Sequence, residues 1–234
     1  MTRLLVSVRS VAEALLAARG GADFIDLKEP SDGALGGLPT ETIAEVVTAL
    51  REHGITLPVS ATIGDLALHD LAAILERVKA VAACGVDYVK VGIERAPQAP
   101  AVLDALAACG ARIVPVFIVD RGLDFAHLDH ACTLLFPGLM VDTADKLSGS
   151  LFDVMPGTAV RRFVSRVRGA GTGPLVGVAG ALRLSHVPLL RTLAPDFAGF
   201  RSAVCNGART GALDGARLQQ LVQLLHAPDL VSQT

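Results

Sequence analysis

Three of the four lysines in this chain lie within or just after short apolar segments, where an amine would be buried. The 21 basic residues include only four lysines, and the others are arginines. Arginine stays protonated, whereas burial or a neighbouring cation can leave a lysine amine neutral and able to form a Schiff base with a carbonyl. We therefore predict carbonyl chemistry for Lys28, Lys90 and Lys146. Lys79 lies in a helical stretch and is predicted to be a surface residue.

Two aspartates lie in the same kind of segment as these lysines. Because side chains alternate along a strand, Asp26 and Lys28 share one face of FIDLK, while Asp142 lies near the end of LMVDT. Clustered cations lower one another's pKa, and neighbouring carboxylates would orient the amines and relay protons. The alternative interpretation is a set of ion pairs that only stabilise the strand ends.

The elements that must position these residues alternate between short β-branched runs and longer Ala-rich helical stretches. Eight such units without a break in composition predict one domain over residues 1–234, a single (β/α)8 TIM barrel. A doubly wound sheet is the alternative. The predicted strands are residues 4–8, 24–28, 58–63, 88–93, 112–119, 139–143, 175–180 and 197–204.

In a barrel of this kind, active sites lie at the C-terminal ends of the strands, and inward side chains form layers from alternate strands. The second, fourth, sixth and eighth segments each carry a charged residue near that end, so we expect these residues to converge. The converging set comprises Asp26 or Lys28, Lys90, Asp142 and Arg201. Lys146 follows in the sixth loop and is expected to fold over them.

The seventh and eighth loops of this fold frequently hold a phosphate. Gly180 precedes a predicted helix, so the backbone N–H groups of Ala181 and Leu182 are expected to face an anion. Arg201, Ser202 and Ala203 are predicted to line its other side. Two further cations of undetermined direction lie nearby, Arg183 and Arg209. The alternative is that the glycines serve only the geometry of tight turns.

Hydroxyl side chains near the strand ends are candidates for binding the rest of a substrate, and these are Ser7, Ser60 and Thr62. Asp65 would either join them or cap a helix. The glycine-rich second loop, residues 28–39, is predicted to be either a lid or a surface turn.

Composition excludes several classes of partner. The net charge of −2 offers no basic field for nucleic acid, and no apolar run reaches the roughly 18 residues of a membrane span. The four cysteines lack metal-type spacing, which predicts a reduced, cytoplasmic protein without a metal. His127 and His130 are interpreted as a solvated helix face. Barrels commonly associate, so a homo-oligomer is possible from the fold, although the sequence identifies no interface.

Seven motifs taken together resemble one family. They are IDLKEP, GALGG, VSATIGD, GVDYVKVG, VDTADK with the following SLFD, GVAGALR and GFRSAVC. This combination is similar to the (5-formylfuran-3-yl)methyl phosphate synthases, also called 4-(hydroxymethyl)-2-furancarboxaldehyde-phosphate synthases, over nearly the whole chain. The departures are a short region between the fourth and fifth strands and the eighth-loop run SAVCNG.

The resemblance implies a cofactor-independent lyase that condenses two molecules of glyceraldehyde 3-phosphate into a phosphorylated furan, with loss of phosphate and water, for methanofuran biosynthesis. It implies that Lys28 is the Schiff-base lysine and Lys90 the proton acceptor. The remaining catalytic positions implied by the resemblance are Asp26, Asp142 and Lys146.

Three other functions remain open from the sequence. A Schiff-base aldolase acting on a triose phosphate would use the same amines without eliminating phosphate. A non-catalytic barrel would only bind a phosphorylated ligand. A metal-dependent aldolase or epimerase is disfavoured because strand-end histidines are missing from the sequence.

Overall fold

Eight parallel strands close into a barrel in the computed structural model, which describes residues 1–145 and 149–227. Each strand pairs with the next in the chain, and the eighth pairs with the first. This confirms the predicted (β/α)8 fold and excludes the doubly wound sheet. The strands are β1 Arg3–Val8, β2 Phe24–Leu27, β3 Val59–Thr62, β4 Tyr88–Ile93, β5 Ile113–Ile118, β6 Gly138–Asp142, β7 Leu175–Val178 and β8 Phe197–Phe200.

Helices surround this barrel and bury their apolar faces against it. Those in the described residues are α1 Val11–Arg19, α2 Thr40–Glu52, α3 Leu71–Ala83, α4 Ala99–Ala108, α5 Phe125–Thr133, α6 Leu151–Val154, α7 Gly157–Arg168, α8 Val187–Leu193 and α9 Gly215–His226. Two short 3₁₀ turns, Leu184–His186 and Ser202–Val204, lie in the seventh and eighth loops. No helix in the described ranges is long and apolar enough to cross a membrane.

Local sequence signals begin and end the helices. Asp70 and Asp124 accept hydrogen bonds from the first backbone N–H groups of α3 and α5, as N-cap residues do. The turns from α3 into β4 and from α4 into β5 pass through Gly85 at φ +84° and Gly110 at φ +80°. These left-handed positions explain why glycine stands in both helix-to-strand turns.

The core has two apolar compartments. The larger lies between the strands and the helices, and its members are mainly Val, Ile, Leu and Ala. The smaller fills the inside of the barrel with Phe24, Val116, Met140 and Phe197 among others, and Leu35 of the second loop joins it from above. Because side chains fill the barrel, charged groups are held at its C-terminal mouth.

Two segments differ from the sequence prediction at their ends. The seventh strand stops at Val178, and the predicted helix does not follow Gly180 directly, because Gly180 (φ +121°) and Ala181 (φ +43°) turn the chain first. The eighth strand stops at Phe200 and not at residue 204. Arg201 leaves the strand because its side chain is bound elsewhere, and a 3₁₀ turn follows.

Candidate active site

A cavity opens at the C-terminal mouth of the barrel. It collects residues from five strands, β1, β2, β4, β6 and β8, and from the loops after β2, β7 and β8, including most of the predicted charged residues. Its lining comprises Leu5, Ser7, Asp26, Lys28, Lys90, Met140, Asp142, Ala179, Gly180, Ala181, Leu182, Gly199, Phe200, Arg201, Ser202 and Arg209. Cations outnumber carboxylates in this lining, so the cavity suits an anionic ligand.

Lys90 and Asp26 form a buried ion pair across the floor of this cavity. The Lys90 Nζ donates to Asp26 Oδ1 at 3.0 Å, and both side chains are almost fully buried. The hydroxyls of Ser60 and Ser7 donate to the two oxygens of the same carboxylate, at 2.6 and 3.0 Å. Burial alone would raise the pKa of Asp26, but Lys90, Lys28 and the Ser60 hydroxyl outweigh burial and lower that pKa.

Lys28 directs its amine at the same cavity from the residue after β2. It is 6% exposed, and its Nζ lies 3.8 Å from Asp142 Oδ2. The Nζ also donates to the main-chain carbonyl of Ala34 in the second loop, at 3.0 Å. The amine is therefore held between a carboxylate of the sixth strand and a peptide oxygen above it.

Asp142 is fixed at the end of β6 by its own backbone. Its Oδ1 accepts the N–H of Thr143 at 2.8 Å, which leaves Oδ2 towards Lys28. The side chain is 1% exposed, so its charge acts in a poorly screened environment. Lys146, predicted to cover this group, lies outside the described residues.

Three predicted substrate ligands hold protein groups in the structure. Ser7 lines the cavity, but its hydroxyl donates to Asp26, as does that of Ser60. Thr62 donates to the carbonyl of Gly36 at 2.8 Å and so ties β3 to the second loop. The hydroxyls of Ser7 and Ser60 thus hold the Asp26 carboxylate, and that of Thr62 holds the second loop.

The predicted phosphate loops are only partly arranged as the sequence indicated. Gly180, Ala181 and Leu182 all line the cavity. Ser202 also lines it, whereas Ala203 packs against the outer apolar core. The chain around Gly180 is tight, because a Cβ there would lie 3.0 Å from Thr143 Oγ1.

The sequence predicts that Arg201 binds the anion, but in the structure its guanidinium donates to protein groups. Both nitrogens of its fork donate to the Glu13 carboxylate, and the side chain also reaches the carbonyls of Ser7, Arg209 and Gly211. These contacts use all five N–H donors of the side chain. Arg201 thus fixes the eighth loop to β1 and α1, and the sequence could not indicate this because Glu13 lies on the first helix.

Arg209 is the cation that the eighth loop presents to the cavity. It is half-buried and donates to the carbonyl of Gly33 at 3.3 Å across the mouth. Burial lowers the pKa of Arg209, and the nearby Asp142 partly opposes that shift. Arg183 instead lies outside and pairs with Asp153 at 3.7 Å. The sequence left the direction of both arginines undetermined.

The second loop lies over the mouth of the barrel, and its residues Ala34 and Leu35 are buried. Asp65 is not the cap of α3, which is Asp70. Its carboxylate accepts the N–H groups of Ala34 and Leu35, at 2.8 and 3.2 Å. Neither interpretation of Asp65 from the sequence anticipated this role.

A sequence model of the 4-HFC-P synthases matches residues 4–222. The chain belongs to this family. A relative from Methylorubrum extorquens is 37% identical over 96% of this chain and 92% of its own length. The (5-formylfuran-3-yl)methyl phosphate synthase of Archaeoglobus fulgidus is 33% identical over 96% of this chain and 99% of its own length. The family predicted from the seven motifs is therefore confirmed.

Solved structures resemble the family member at the level of the fold. The phosphoribosyl anthranilate isomerase of Thermococcus kodakaraensis superimposes with a TM-score of 0.69, covering 97% of this chain and 100% of that one. At 15% identity this likeness concerns the barrel alone. Within residues 1–145 and 149–227, no group of three or more His, Cys, Asp or Glu residues is arranged to hold a metal ion.

Proposed function

We propose that this chain is a (5-formylfuran-3-yl)methyl phosphate synthase. It joins two molecules of glyceraldehyde 3-phosphate into the phosphorylated furan and releases one phosphate and two water molecules. The observation that carries the proposal is the pair of buried amines, Lys28 and Lys90, each beside a carboxylate in one cation-rich cavity. The shared family with the named Archaeoglobus fulgidus synthase supports the same reaction.

Lys28 is the proposed nucleophile. Its Nζ in the neutral form attacks the carbonyl carbon of one triose phosphate and forms a carbinolamine. Asp142, 3.8 Å from that nitrogen, is placed to accept the proton that the amine must lose and to pass it to the former carbonyl oxygen, which becomes the carbinolamine hydroxyl. Loss of the carbinolamine hydroxyl as water then leaves a protonated imine on Lys28.

Lys90 first acts as an acid and then as a base in this proposal. Held as an ammonium by Asp26, it gives a proton to the departing hydroxyl, and the water leaves. The neutral Lys90 amine then removes the proton from the carbon next to the imine, which produces the enamine. Asp26 retains its negative charge throughout, in keeping with its lowered pKa.

The enamine carbon attacks the aldehyde of the second triose phosphate, and ring closure with elimination gives the aromatic furan. Backbone N–H groups of Ala181 and Leu182 together with the Arg209 guanidinium would bind a phosphate at the loop-seven side of the cavity. Asp142 and Lys146 are proposed to move protons during the eliminations.

Borohydride trapping tests the proposal directly. Glyceraldehyde 3-phosphate and borohydride are added to the wild type, Lys28→Ala and the matched control Lys79→Ala, and the peptides are mapped by mass spectrometry. We expect a reduced triose adduct on Lys28 in the wild type and in Lys79→Ala, and none on residue 28 of Lys28→Ala. An active wild type without any trappable adduct would contradict the amine mechanism.

Product analysis separates the synthase from the other functions. A synthase releases inorganic phosphate in step with a furan absorbance, whereas a Schiff-base aldolase forms the adduct but releases neither. A barrel that only binds phosphorylated ligands would show no turnover, and its ligand binding would survive Lys28→Ala. Retained activity after exhaustive chelation would exclude the metal-dependent alternative.

A further inference from the structure

The second loop, residues 28–39, folds back on itself over the mouth of the barrel and is held there by hydrogen bonds. The N–H of Glu29 donates to the Gly36 carbonyl at 2.9 Å, and Thr62 donates to the same carbonyl. Leu35 is 1% exposed and extends into the barrel beside Gly92. A Cβ added at Gly92 would lie only 3.0 Å from the Cδ1 atom of Leu35. The loop therefore covers part of the cavity with an apolar side chain and fixed peptide groups.

Asp65 anchors this loop from the other side. Its carboxylate receives two consecutive N–H groups of the loop, those of Ala34 and Leu35. The Leu35 N–H belongs to the same peptide group as the Ala34 carbonyl, which accepts from Lys28 at 3.0 Å, and the Ala34 N–H belongs to the preceding peptide group. Gly33 completes the arrangement with φ +78°, and a Cβ at that position would overlap the Asp65 carboxylate. The loop can adopt this geometry only with glycine at residue 33.

We propose that Asp65 is a positioning residue that holds the Ala34 carbonyl against the nitrogen of Lys28 and so stabilises its protonated imine. This inference rests on the proposed function. When the neutral Lys28 amine condenses with an aldehyde and takes up one proton, nitrogen gains a double bond to carbon, the aldehyde oxygen leaves as water, and one N–H remains on a cationic nitrogen. That remaining hydrogen is donated to the Ala34 oxygen, in a hydrogen bond strengthened by the charge.

The arrangement links the loop to the chemistry in both directions. If the closed loop stabilises the imine, the imine must stabilise the closed loop by the same free energy. Arg209 adds a second tie, because it donates to the Gly33 carbonyl while facing the cavity. Residues 33–35 therefore carry three contacts. Arg209 binds the Gly33 carbonyl, Lys28 binds the Ala34 carbonyl, and Asp65 binds the N–H groups of residues 34 and 35.

The first test compares wild type, Asp65→Asn and Asp70→Asn at saturating glyceraldehyde 3-phosphate. Asparagine keeps the size of Asp65 but cannot accept both N–H groups with two anionic oxygens. Asp70 is the matched control, since it lies on the same β3–α3 connection as Asp65 but caps α3 by accepting the N–H of Ala73. We expect the equilibrium fraction trapped by borohydride on Lys28 to fall about tenfold in Asp65→Asn and to stay at the wild-type value in Asp70→Asn.

Gly33→Ala is the second variant, because its Cβ would displace the same carboxylate without removing it, and we expect a similar loss of adduct. A wild-type adduct on Lys28 together with an unchanged fraction in Asp65→Asn would overturn this inference and leave the synthase proposal intact. Absence of the wild-type adduct would instead remove the proposed function on which it rests.

Amide exchange in the wild type supplies a measurement that does not depend on folding of a variant. After reduction of the adduct, the amides of Ala34 and Leu35 should exchange several-fold more slowly than in the free protein, while that of Ala73, bound to Asp70, should not change. A role for Asp65 in folding alone would not produce this difference. Equal exchange at Ala34 with and without the adduct would contradict the coupling.

Discussion

Lys90 donates to Asp26 at 3.0 Å in a position where both side chains are almost fully buried. Two serine hydroxyls complete the coordination of the carboxylate. Removing one member of such a pair leaves the other charged and buried without compensation, which costs about 3–5 kcal/mol. We expect Asp26→Asn to lower the free energy of unfolding by about this amount at neutral pH, and Asp26→Asn with Lys90→Met to recover part of it. Urea denaturation of the wild type, Asp26→Asn, Lys90→Met and the double variant measures the coupling energy. Additive effects of the two substitutions would contradict a stabilising interaction between the side chains.

The same pair predicts a dependence of stability on pH. The folded-state pKa of Asp26 lies below its ordinary value of 3.8, so its stabilising contribution is complete above about pH 4 and is lost as the pH falls through the folded pKa. The gap in unfolding free energy between wild type and Asp26→Asn should therefore be constant near neutrality and shrink at acid pH. A gap that widens on acidification would show that another group dominates.

Arg209 and Arg183 make a matched pair of arginines on adjacent loops. Arg209 faces the cavity and Arg183 pairs with Asp153 outside it. A charge-assisted contact to phosphate is worth about 1.5–3 kcal/mol, so Arg209→Gln should lower kcat/KM about 10- to 100-fold, mostly through KM. Arg183→Gln should leave both constants within about twofold. Steady-state kinetics of phosphate release compares them, and equal effects would remove Arg209 from the phosphate site.

Glu13 should contribute far more to the free energy of unfolding than its partly exposed neighbour Arg9. Glu13→Gln leaves the buried Arg201 guanidinium without its carboxylate, and we expect a loss of about 3 kcal/mol in unfolding free energy. Arg9, which approaches Glu13 only at 4.0 Å and is partly exposed, supplies the control. Arg9→Gln should change stability by less than about 1 kcal/mol. Thermal and urea melts report both, and a small effect in Glu13→Gln would mean that the carbonyls alone hold Arg201.

Gly180 should tolerate no side chain, in contrast to Gly54. Both have positive φ, where an L-residue costs roughly 1–2 kcal/mol. At Gly54 no atom lies within 4 Å of an added Cβ, whereas at Gly180 the Cβ would press on Thr143 and Leu151. Gly180→Ala should therefore lose stability beyond that strain and also lose activity, because the seventh loop moves. Gly54→Ala should lose only the stability that the backbone strain costs and should keep its activity. Unfolding and turnover assays of the two variants measure both effects.

The convergence of Asp26, Lys28, Lys90 and Asp142 could be predicted because it depends on two regular properties. Side chains alternate along each strand, and alternate strands of a barrel share a layer. Residues on three even-numbered strands therefore meet whatever the loops do. The structure places all four in the lining of one cavity.

The loop groups could not be predicted, because their partners are distant in the chain and depend on backbone conformation. Arg201 meets a carboxylate on the first helix, 188 residues away. Asp65 meets N–H groups 30 and 31 residues before it. The sequence predicts a phosphate contact for Arg201 and either a substrate contact or a helix cap for Asp65, and in the structure each side chain binds other protein groups.

The Lys28 nitrogen donates to an oxygen that belongs to the peptide group of Ala34. Replacing the Ala34 side chain leaves that oxygen in place, so a survey of the enzyme by alanine or glycine substitution would pass over it. Substitutions at residues 33 and 65 can reach it only by changing its position. A list of the side chains in the proposed mechanism would therefore omit one contributing group, the main-chain carbonyl of Ala34.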